Sequence, residues 1–268
     1  GAKIFLEPGS YAPDSLTNYE IGLKTQLFDH RLQVNLSAYW MDWDNVQFFL
    51  FDPPAKINTT FGLNGPSYNV KGAEFQIVGR VTPELTLFAS GSYNHATESA
   101  APCLKGNIPG TAYYGACIMT YQPSGSGVAG ENTPFPNPFG ELGSVPAFSP
   151  AFQGNIRARY DWQIGDYKAF VQVGGNYVSG MWNQPASYEL GALTPLPTPT
   201  TTNLRYYQPA YGTIDASIGL TADHWRVELF GTNLANSHAS TFTSSGQFIR
   251  SEVPLRPLVV GLKVGANF

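Results

Sequence analysis

The stretch Leu32-Gln33-Val34-Asn35-Leu36-Ser37-Ala38-Tyr39-Trp40 alternates between apolar and more polar side chains. Side chains two positions apart on a β-strand point to the same face, so this stretch predicts a strand with one apolar and one polar face. Residues 17–27 repeat the pattern, and only Phe28-Asp29-His30 separates their end from the beginning of the next strand at residue 31. The two segments together predict an antiparallel hairpin.

The same alternation recurs along the chain and predicts nine strands. They cover residues 17–27, 31–51, 68–81, 84–97, 151–164, 167–182, 209–222, 225–236 and 256–268. No segment shows a helical pattern, and no apolar run approaches the roughly 20 residues that a membrane-spanning helix needs. Short turns alternate with long loops, which cover about residues 52–67, 98–150, 183–208 and 237–255. This alternation is typical of an up-and-down barrel with one short rim and one elaborated rim.

Alternation alone does not show which face of the sheet contacts water, because apolar and polar residues also alternate along the strands of a soluble barrel or sandwich. Two features favour a membrane barrel. The polar rows carry charged side chains such as Glu20, Arg157 and Lys263, which suit a wide aqueous lumen. Aromatic side chains gather at the ends of the apolar rows, as they do at a lipid–water interface. We therefore predict that the apolar rows face lipid, at Ile21, Leu36, Ile156, Val171, Ile218 and Val260.

The predicted strand count is odd, whereas single-chain bacterial barrels have an even number of strands. Nine strands alone leave two unpaired edges, which lipid does not tolerate. The sequence therefore predicts a part of a larger barrel, with a missed or surplus strand as the alternative.

The composition excludes several classes of protein. The chain has 268 residues, a net charge of −4, 13% charged residues and 14% aromatic residues. It lacks the basic excess of a nucleic-acid-binding protein and the high charge of a disordered chain. Its four histidines are scattered and form no catalytic or metal-binding motif, so we predict neither enzyme activity nor a cofactor.

Two cysteines, Cys103 and Cys117, lie in a long loop rich in glycine, proline and tyrosine. They have no metal-ligand spacing. Either they form a local disulfide, as an oxidising compartment favours, or they are two unrelated thiols.

The long loops and their borders are rich in aromatic side chains. These side chains can stack on a sugar or an aromatic chelate, or they can serve only loop packing and the outer girdle. The candidates for ligand contact are Trp43, Phe49, Tyr114, Trp182 and Tyr206. Asp42, Asp44 and Asp52 are candidate cation ligands, but coordination needs a geometry that a sequence does not give. The charged side chains of the polar rows either line the path of a substrate or only keep the lumenal wall hydrated.

Several motifs together resemble TonB-dependent outer-membrane receptors. The segment from Asp14 to Lys24 contains Tyr-Glu-Ile-Gly-Leu-Lys, similar to a Tyr-Glu-x-Gly-x-Lys strand of that family, although Asp14 stands where glutamate is usual. Residues 32–47, with Asp42-Trp43, resemble the following strand, and Gly72-Ala73-Glu74 resembles the Gly-x-Glu strand. Residues 231–236 are similar to the Asn-Leu element before the last external loop, and Phe268 to the terminal aromatic.

The resemblance implies an all-β transmembrane antiparallel barrel with long external loops and short periplasmic turns. Residues 17–268 would be the nine C-terminal strands of 22, residues 1–16 the end of an external loop, and the plug and earlier strands would lie outside this sequence. The implied function is import of a siderophore-iron complex, a cobalamin-like compound or a carbohydrate, driven by the TonB complex of the inner membrane. A passive channel or a structural component of an outer-membrane assembly is the alternative. The implied partners are outer-membrane lipid, the plug, TonB, and the assembly machinery, which would read Phe268.

Overall fold

The computed structural model describes residues 9–52, 59–103, 105–111, 114–116, 139–184, 205–244 and 250–266. Within these ranges the structure contains no helix long and apolar enough to span a membrane. The strands are β1 (Ser15–Leu27), β2 (Leu32–Asp44), β3 (Gln47–Asp52), β4 (Thr59–Asn64), β5 (Ser67–Arg80), β6 (Leu85–Ala100), β7 (Phe152–Ile164), β8 (Tyr167–Val178), β9 (Met181–Trp182), β10 (Tyr207–Gln208), β11 (Tyr211–Thr221), β12 (Trp225–Thr232), β13 (Ser240–Ser244), β14 (Ser251–Pro254) and β15 (Val259–Ala266).

Nine of these strands form one antiparallel sheet in the order β1-β2-β5-β6-β7-β8-β11-β12-β15. Each long strand pairs with the next long strand along the chain, as in an up-and-down barrel. The predicted nine-stranded, all-β architecture is confirmed. The remaining six strands form three small hairpins, β3–β4, β9–β10 and β13–β14, inserted in the long loops.

These hairpins correct the predicted strand boundaries. The predicted strand over residues 31–51 is two strands, because β2 ends at Asp44 and Asn45 takes a left-handed conformation with φ +54°. The predicted strand over 167–182 likewise stops at Val178 and is followed by the separate strand β9. The strand predicted over 225–236 ends at Thr232, before Asn233 with φ +50°. Left-handed residues interrupt the pleat, so the direction of the chain changes there.

The register places apolar residues of neighbouring strands side by side. Val34 pairs with Ile77, Ile77 with Ala89, and Ala89 with Ile156. Directly paired residues lie on the same face of a sheet, so the apolar rows of the nine strands merge into one continuous apolar face. Hydrophobic side chains on this face remain exposed, among them Ile21 at 76% and Val264 at 69%. A soluble barrel would bury this face in its core, whereas a membrane barrel presents it to lipid.

The opposite face is polar across the same strands. Asn35 pairs with Gln76, Gln76 with Ser90, Ser90 with Asn155, and Asn155 with Asn176. Side-chain hydrogen bonds follow this row, including Asn35 to Gln76 at 3.0 Å and Asn155 to Ser90 at 2.8 Å. This polar face is the one that a membrane barrel turns toward its lumen.

Aromatic side chains mark both borders of the apolar face. At the short-turn rim Tyr167 contacts Trp225 with ring centroids 5.6 Å apart, and at the long-loop rim Phe152 contacts Tyr177 at 6.1 Å. Along β8, Tyr167 and Tyr177 are ten residues apart. At roughly 3.3 Å per residue and a tilt of about 40°, they are separated by about 25 Å across the bilayer, the height of the apolar band of outer-membrane barrels.

One asparagine anchors the last long loop to the sheet. The Asn233 side chain is buried, donates to the carbonyl oxygens of Ser237 and Arg256 at 3.0 Å each, and accepts from the Ser237 N–H at 2.9 Å. Its own backbone N–H donates to Asp215 of β11 at 2.8 Å. These bonds hold the start and the end of the loop together at the long-loop rim.

Candidate ligand-binding surface and lumenal wall

The hairpin β9–β10, the residues just before β10 and the residue before β14 form an aromatic platform at the long-loop rim. We define the platform as Trp182, Arg205, Tyr206, Tyr207 and Arg250. The Tyr207 ring packs edge-on against Trp182 with centroids 5.0 Å apart, and the Arg205 guanidinium lies 3.9 Å from the centre of the Trp182 ring. The Arg250 guanidinium lies 4.7 Å from the centre of the Tyr206 ring. Rings and guanidinium groups stacked in this way offer flat surfaces and positive charge at the same place.

One buried side chain and one ring stack hold the segments around the platform together. The Asn183 side chain is almost fully buried, and its Oδ1 accepts from the Tyr206 backbone N–H at 2.5 Å. The rings of Phe148 and Phe242 stack with centroids 4.9 Å apart, which joins the segment before β7 to β13. The platform thus combines residues from two long loops, and a third long loop joins it where the Phe148 N–H donates to the Trp182 carbonyl oxygen at 2.8 Å.

The structure distributes the five predicted ligand-contact residues over different elements. Trp182 and Tyr206 lie together on the platform, whereas Phe49 lies on β3 and Tyr114 in a separate turn, both more than 60% exposed. The Trp43 indole lies on the polar face at the end of β2, where Nε1 donates to Asp14 at 2.8 Å and the ring is 6.2 Å from Tyr68. A ligand role for these residues stays a prediction.

Sequence reasoning missed the two arginines of the platform. Arg205 is adjacent to Tyr206 in the sequence, and this pairing of a cation with an aromatic residue is a readable signal. Arg250 lies in a different long loop, so only the packing of the hairpins brings it to Tyr206.

The lumenal wall near the short-turn rim carries cations stacked on phenylalanines. The Phe170 ring is buried, and the guanidinium carbons of Arg159 and Arg226 lie 4.0 and 5.4 Å from its centre. The ring covers Gly219 of the next strand, where an added Cβ would come within 2.4 Å of it. Glycine is needed there because the ring occupies the space of a side chain.

Acidic side chains neutralise part of this positive charge. Arg159 pairs with Asp161 at 2.8 Å, and Glu228 pairs with Arg226 at 3.0 Å and Lys263 at 3.7 Å. Beside them a cavity of about 240 Å³ opens between Arg157, Asp215 and Lys263. The wall thus presents ion pairs and stacked cations rather than an apolar core.

A buried carboxylate fastens one long loop to the end of β6. Glu98 is 3% exposed, and its Oε2 accepts from the Ser144 hydroxyl at 3.1 Å. Among the described residues the second oxygen, Oε1, has no hydrogen-bond partner, and Gly140, with φ +95°, leaves room for the carboxylate. Tyr93 pairs with Phe152 and so belongs to the aromatic border at the long-loop rim, which we call the upper border. Glu98 lies five residues beyond Tyr93, outside the apolar band. Burial raises the pKa of Glu98 to about 7, and burial together with the Glu98 charge raises the pKa of the neighbouring Tyr68 to about 12.

Of the three predicted cation ligands, Asp42 and Asp44 have described side chains. Among the described residues no group of three or more histidine, cysteine or acidic side chains is close enough to hold a metal ion. Asp42 accepts from the Asn69 side chain at 2.8 Å. The side chain of Asp52 lies outside the described part.

Two further predicted sites fall outside the described residues. Cys117 and Phe268 are not described, so the disulfide between Cys103 and Cys117 and the assembly signal at Phe268 stay predictions.

The continuous lipid-facing surface, its two aromatic borders, the polar wall and the long loops define a segment of an integral outer-membrane β-barrel. Residues 6–234 match the family model described as TonB dependent receptor-like, beta-barrel, and the chain belongs to this family. The predicted family, the fold class and the location in the outer membrane are confirmed. No curated protein matches the sequence.

Solved receptor structures share the fold at low sequence identity. The ferric yersiniabactin uptake receptor FyuA from Yersinia pestis is 12% identical, with a TM-score of 0.62 over 95% of this chain and 30% of that chain. The ferric-catecholate import receptor Fiu from E. coli K12 is 15% identical, with a TM-score of 0.61 over 100% of this chain and 30% of that one. The siderophore receptor PiuA from Acinetobacter baumannii is 13% identical, with a TM-score of 0.62 over 94% and 28%. The chain thus spans about 30% of the length of these receptors.

Proposed function

We propose that the protein containing this chain is an outer-membrane receptor that imports a scarce ligand with energy from the TonB system. The observation that carries the proposal is the aromatic platform, which stands at the external end of a polar lumenal wall. The platform would make the first contacts with the ligand, and the wall would line its way inward. The ligand classes are those predicted from sequence: a siderophore-iron complex, a cobalamin-like compound or a carbohydrate.

The partners follow from the same proposal. The solved relatives are more than three times longer than the part that matches, so we assign the remaining wall strands and the plug to the rest of the protein. The TonB complex would act through that part. Phe268 would serve the outer-membrane assembly machinery as a signal. The platform and the wall offer binding and passage, and we assign no catalytic step to them.

Uptake by cells that carry the full-length receptor tests this function. The probes are a ferric catecholate, cobalamin and a maltooligosaccharide, each supplied to cells with and without TonB. We expect one probe to enter saturably and only with TonB. Non-saturable entry that is independent of TonB would instead support a passive channel, and no entry of any probe together with a role in a larger assembly would support a structural component.

The platform predicts which side chains that uptake depends on. Replacing Trp182 by alanine removes the ring on which both Arg205 and Tyr207 pack, so we expect binding of the imported probe to weaken by about 30-fold, as for a central aromatic contact. Trp225→Ala, at the opposite rim, is the matched control and should leave binding within about two-fold. Equal effects of the two substitutions would show that the platform is not the contact surface.

A further inference from the structure

The apolar face of the nine-stranded sheet carries a single lysine and no arginine. In the register of these strands every other lysine and arginine lies on the polar face or in a turn, whereas Lys71 of β5 lies on the apolar face. It belongs to one cross-strand row in which Tyr19 pairs with Trp40, Trp40 with Lys71, and Lys71 with His95. A cation on a lipid-facing surface is costly in the hydrocarbon and is stabilised near the headgroups by an anionic partner, so its position asks for such a partner.

Among the described residues no acidic side chain neutralises this lysine. Its Nζ lies 5.0 Å from the centre of the Trp40 ring, and within the part of the chain that the structure describes Lys71 has no ion pair. Asp42 is the acidic residue nearest to Lys71 in the register, one row closer to the long-loop rim. Its carboxylate accepts a hydrogen bond from the Asn69 side chain at 2.8 Å. The side chains of Lys71, Trp40 and His95 are all exposed.

The depth of the row in the bilayer indicates what the partner is. Tyr93 of the upper aromatic border pairs with Ala73, one row below Lys71 on the same face. The row of Lys71 therefore lies where the hydrocarbon ends and lipid headgroups begin, the level that tyrosine and tryptophan prefer. A lysine at this level extends its ammonium toward the headgroups.

We propose that the row Tyr19–Trp40–Lys71–His95 binds the phosphate of an anionic lipid in the external leaflet. Lys71 supplies the charge and its ammonium donates to the phosphate oxygens, while the Tyr19 hydroxyl and the His95 ring add hydrogen-bonding groups on either side. The exposed Trp40 ring packs against the Lys71 side chain. The same ring contacts the upper part of the acyl chains. This site is separate from the platform and the lumen. It keeps an anionic lipid bound to the lipid-facing surface of the barrel.

Local lipid enrichment around the full-length receptor tests the proposal. The receptor is reconstituted in phosphatidylcholine vesicles with a minor fraction of phosphatidic acid, and a fluorophore is attached at Thr97→Cys, on the same face next to the row. Quenching by nitroxide-labelled phosphatidic acid, divided by quenching with equally labelled phosphatidylcholine, measures the enrichment of the anionic lipid. We expect a ratio of about five in the native sequence, since one basic residue near a membrane surface contributes about that factor.

Variants separate a specific site from a general effect of charge. Lys71→Met should reduce the ratio about five-fold, to near one, and Lys71→Arg should keep it high. Lys24→Met, which makes the same change of charge on the lumenal face, should leave the ratio unchanged. An unchanged ratio in Lys71→Met, or equal losses in the Lys71 and Lys24 variants, would overturn the proposal. Displacement of the labelled lipid by inorganic phosphate at the same concentration would also overturn it, by identifying a free-phosphate site.

Discussion

Replacing Ile156 by arginine is expected to destabilise the full-length receptor by about 2–4 kcal/mol, the cost of a cation at the bilayer midplane of a membrane barrel. Ile156 lies on the apolar face midway between the aromatic borders of β7 and is 61% exposed, so its side chain contacts lipid. The arginine would have to reach a headgroup across half of the apolar band or draw water into it. The free energy of unfolding, measured by urea titration in vesicles, gives the effect.

The neighbouring residue provides a matched control. Asn155 lies on the polar face and donates to the Ser90 hydroxyl at 2.8 Å. Asn155→Arg removes this hydrogen bond but places the new charge in the aqueous lumen, so we expect a loss of about 1 kcal/mol or less. Ile156→Leu controls for the change of shape. A larger loss for Asn155→Arg than for Ile156→Arg would mean that the two faces have been assigned the wrong way round.

The second large effect is the pH dependence of the loop segment held by Glu98. The pKa of this carboxyl is about 7 in the folded protein, against a usual value of 4.5, because burial disfavours its charged form. The folded segment therefore binds the proton more tightly than the open segment does. Stability of the docked segment should fall as the pH rises from about 4.5 to about 7, by an amount on the order of 3 kcal/mol, and stay constant on either side of this window.

Hydrogen exchange in the loop measures this effect. The N–H of Gly143 donates to the Glu98 carbonyl oxygen at 2.8 Å, and the N–H of Glu98 donates to the Ser144 carbonyl oxygen at 2.9 Å, so both amides report docking. Their protection, corrected for intrinsic rates, should be higher at pH 4.5 than at pH 8. Glu98→Gln mimics the protonated acid and should make protection high and independent of pH.

The groups that face Glu98 supply the controls. The Glu141 charge raises the pKa of Glu98, but less than burial does, and Tyr68 stays protonated throughout this pH range. Glu141→Gln should therefore keep most of the pH dependence. The interpretation fails if native protection is the same at both pH values, or if Glu98→Gln retains the full dependence.

Period-two alternation was sufficient to predict the nine-stranded sheet and the composition of its two faces. A shift of register by one residue would move the whole apolar row of a strand to the polar face, so burial in lipid specifies the register strongly. The aromatic border is predictable for the same reason, since Tyr167 and Trp225 stand at the ends of apolar rows that the sequence shows directly.

The long-loop rim was predicted less well because its structure depends on contacts between distant segments. The sequence of β2 and β3 looks like one strand, but Asn45, in a left-handed conformation, and Val46 separate the hairpin β3–β4 from β2. Trp43 is a large aromatic residue of the kind that often contacts ligands. In the structure, however, its indole Nε1 donates a hydrogen bond to Asp14. The contact of Arg250 with Tyr206 and the burial of Glu98 join different loops, and no local pattern encodes either.

Lumenal aromatic residues mark a second limit of the pattern. Phe88, Phe170 and Phe230 break the polar rows, and a rule that assigns each phenylalanine to lipid would misplace them. In the structure each ring lies near a cation, with Arg157 5.7 Å from the Phe88 ring centre and Lys263 4.4 Å from that of Phe230. Because a cation packs near each ring, these phenylalanines are compatible with the polar, lumen-facing side of the sheet.

Spin-label accessibility along the strands of the full-length receptor in its membrane tests the central assignment of the two faces most directly. Single labels are placed on the apolar face at Ile21, Leu36, Ile156, Val171, Ile218 and Val260, and on the polar face at Glu20, Asn35 and Arg157. Labels on the apolar face should relax with oxygen, which dissolves in lipid, and labels on the polar face with a water-soluble nickel chelate. The reverse pattern would contradict a lipid-facing apolar surface and would show that the apolar rows form the interior of a soluble barrel.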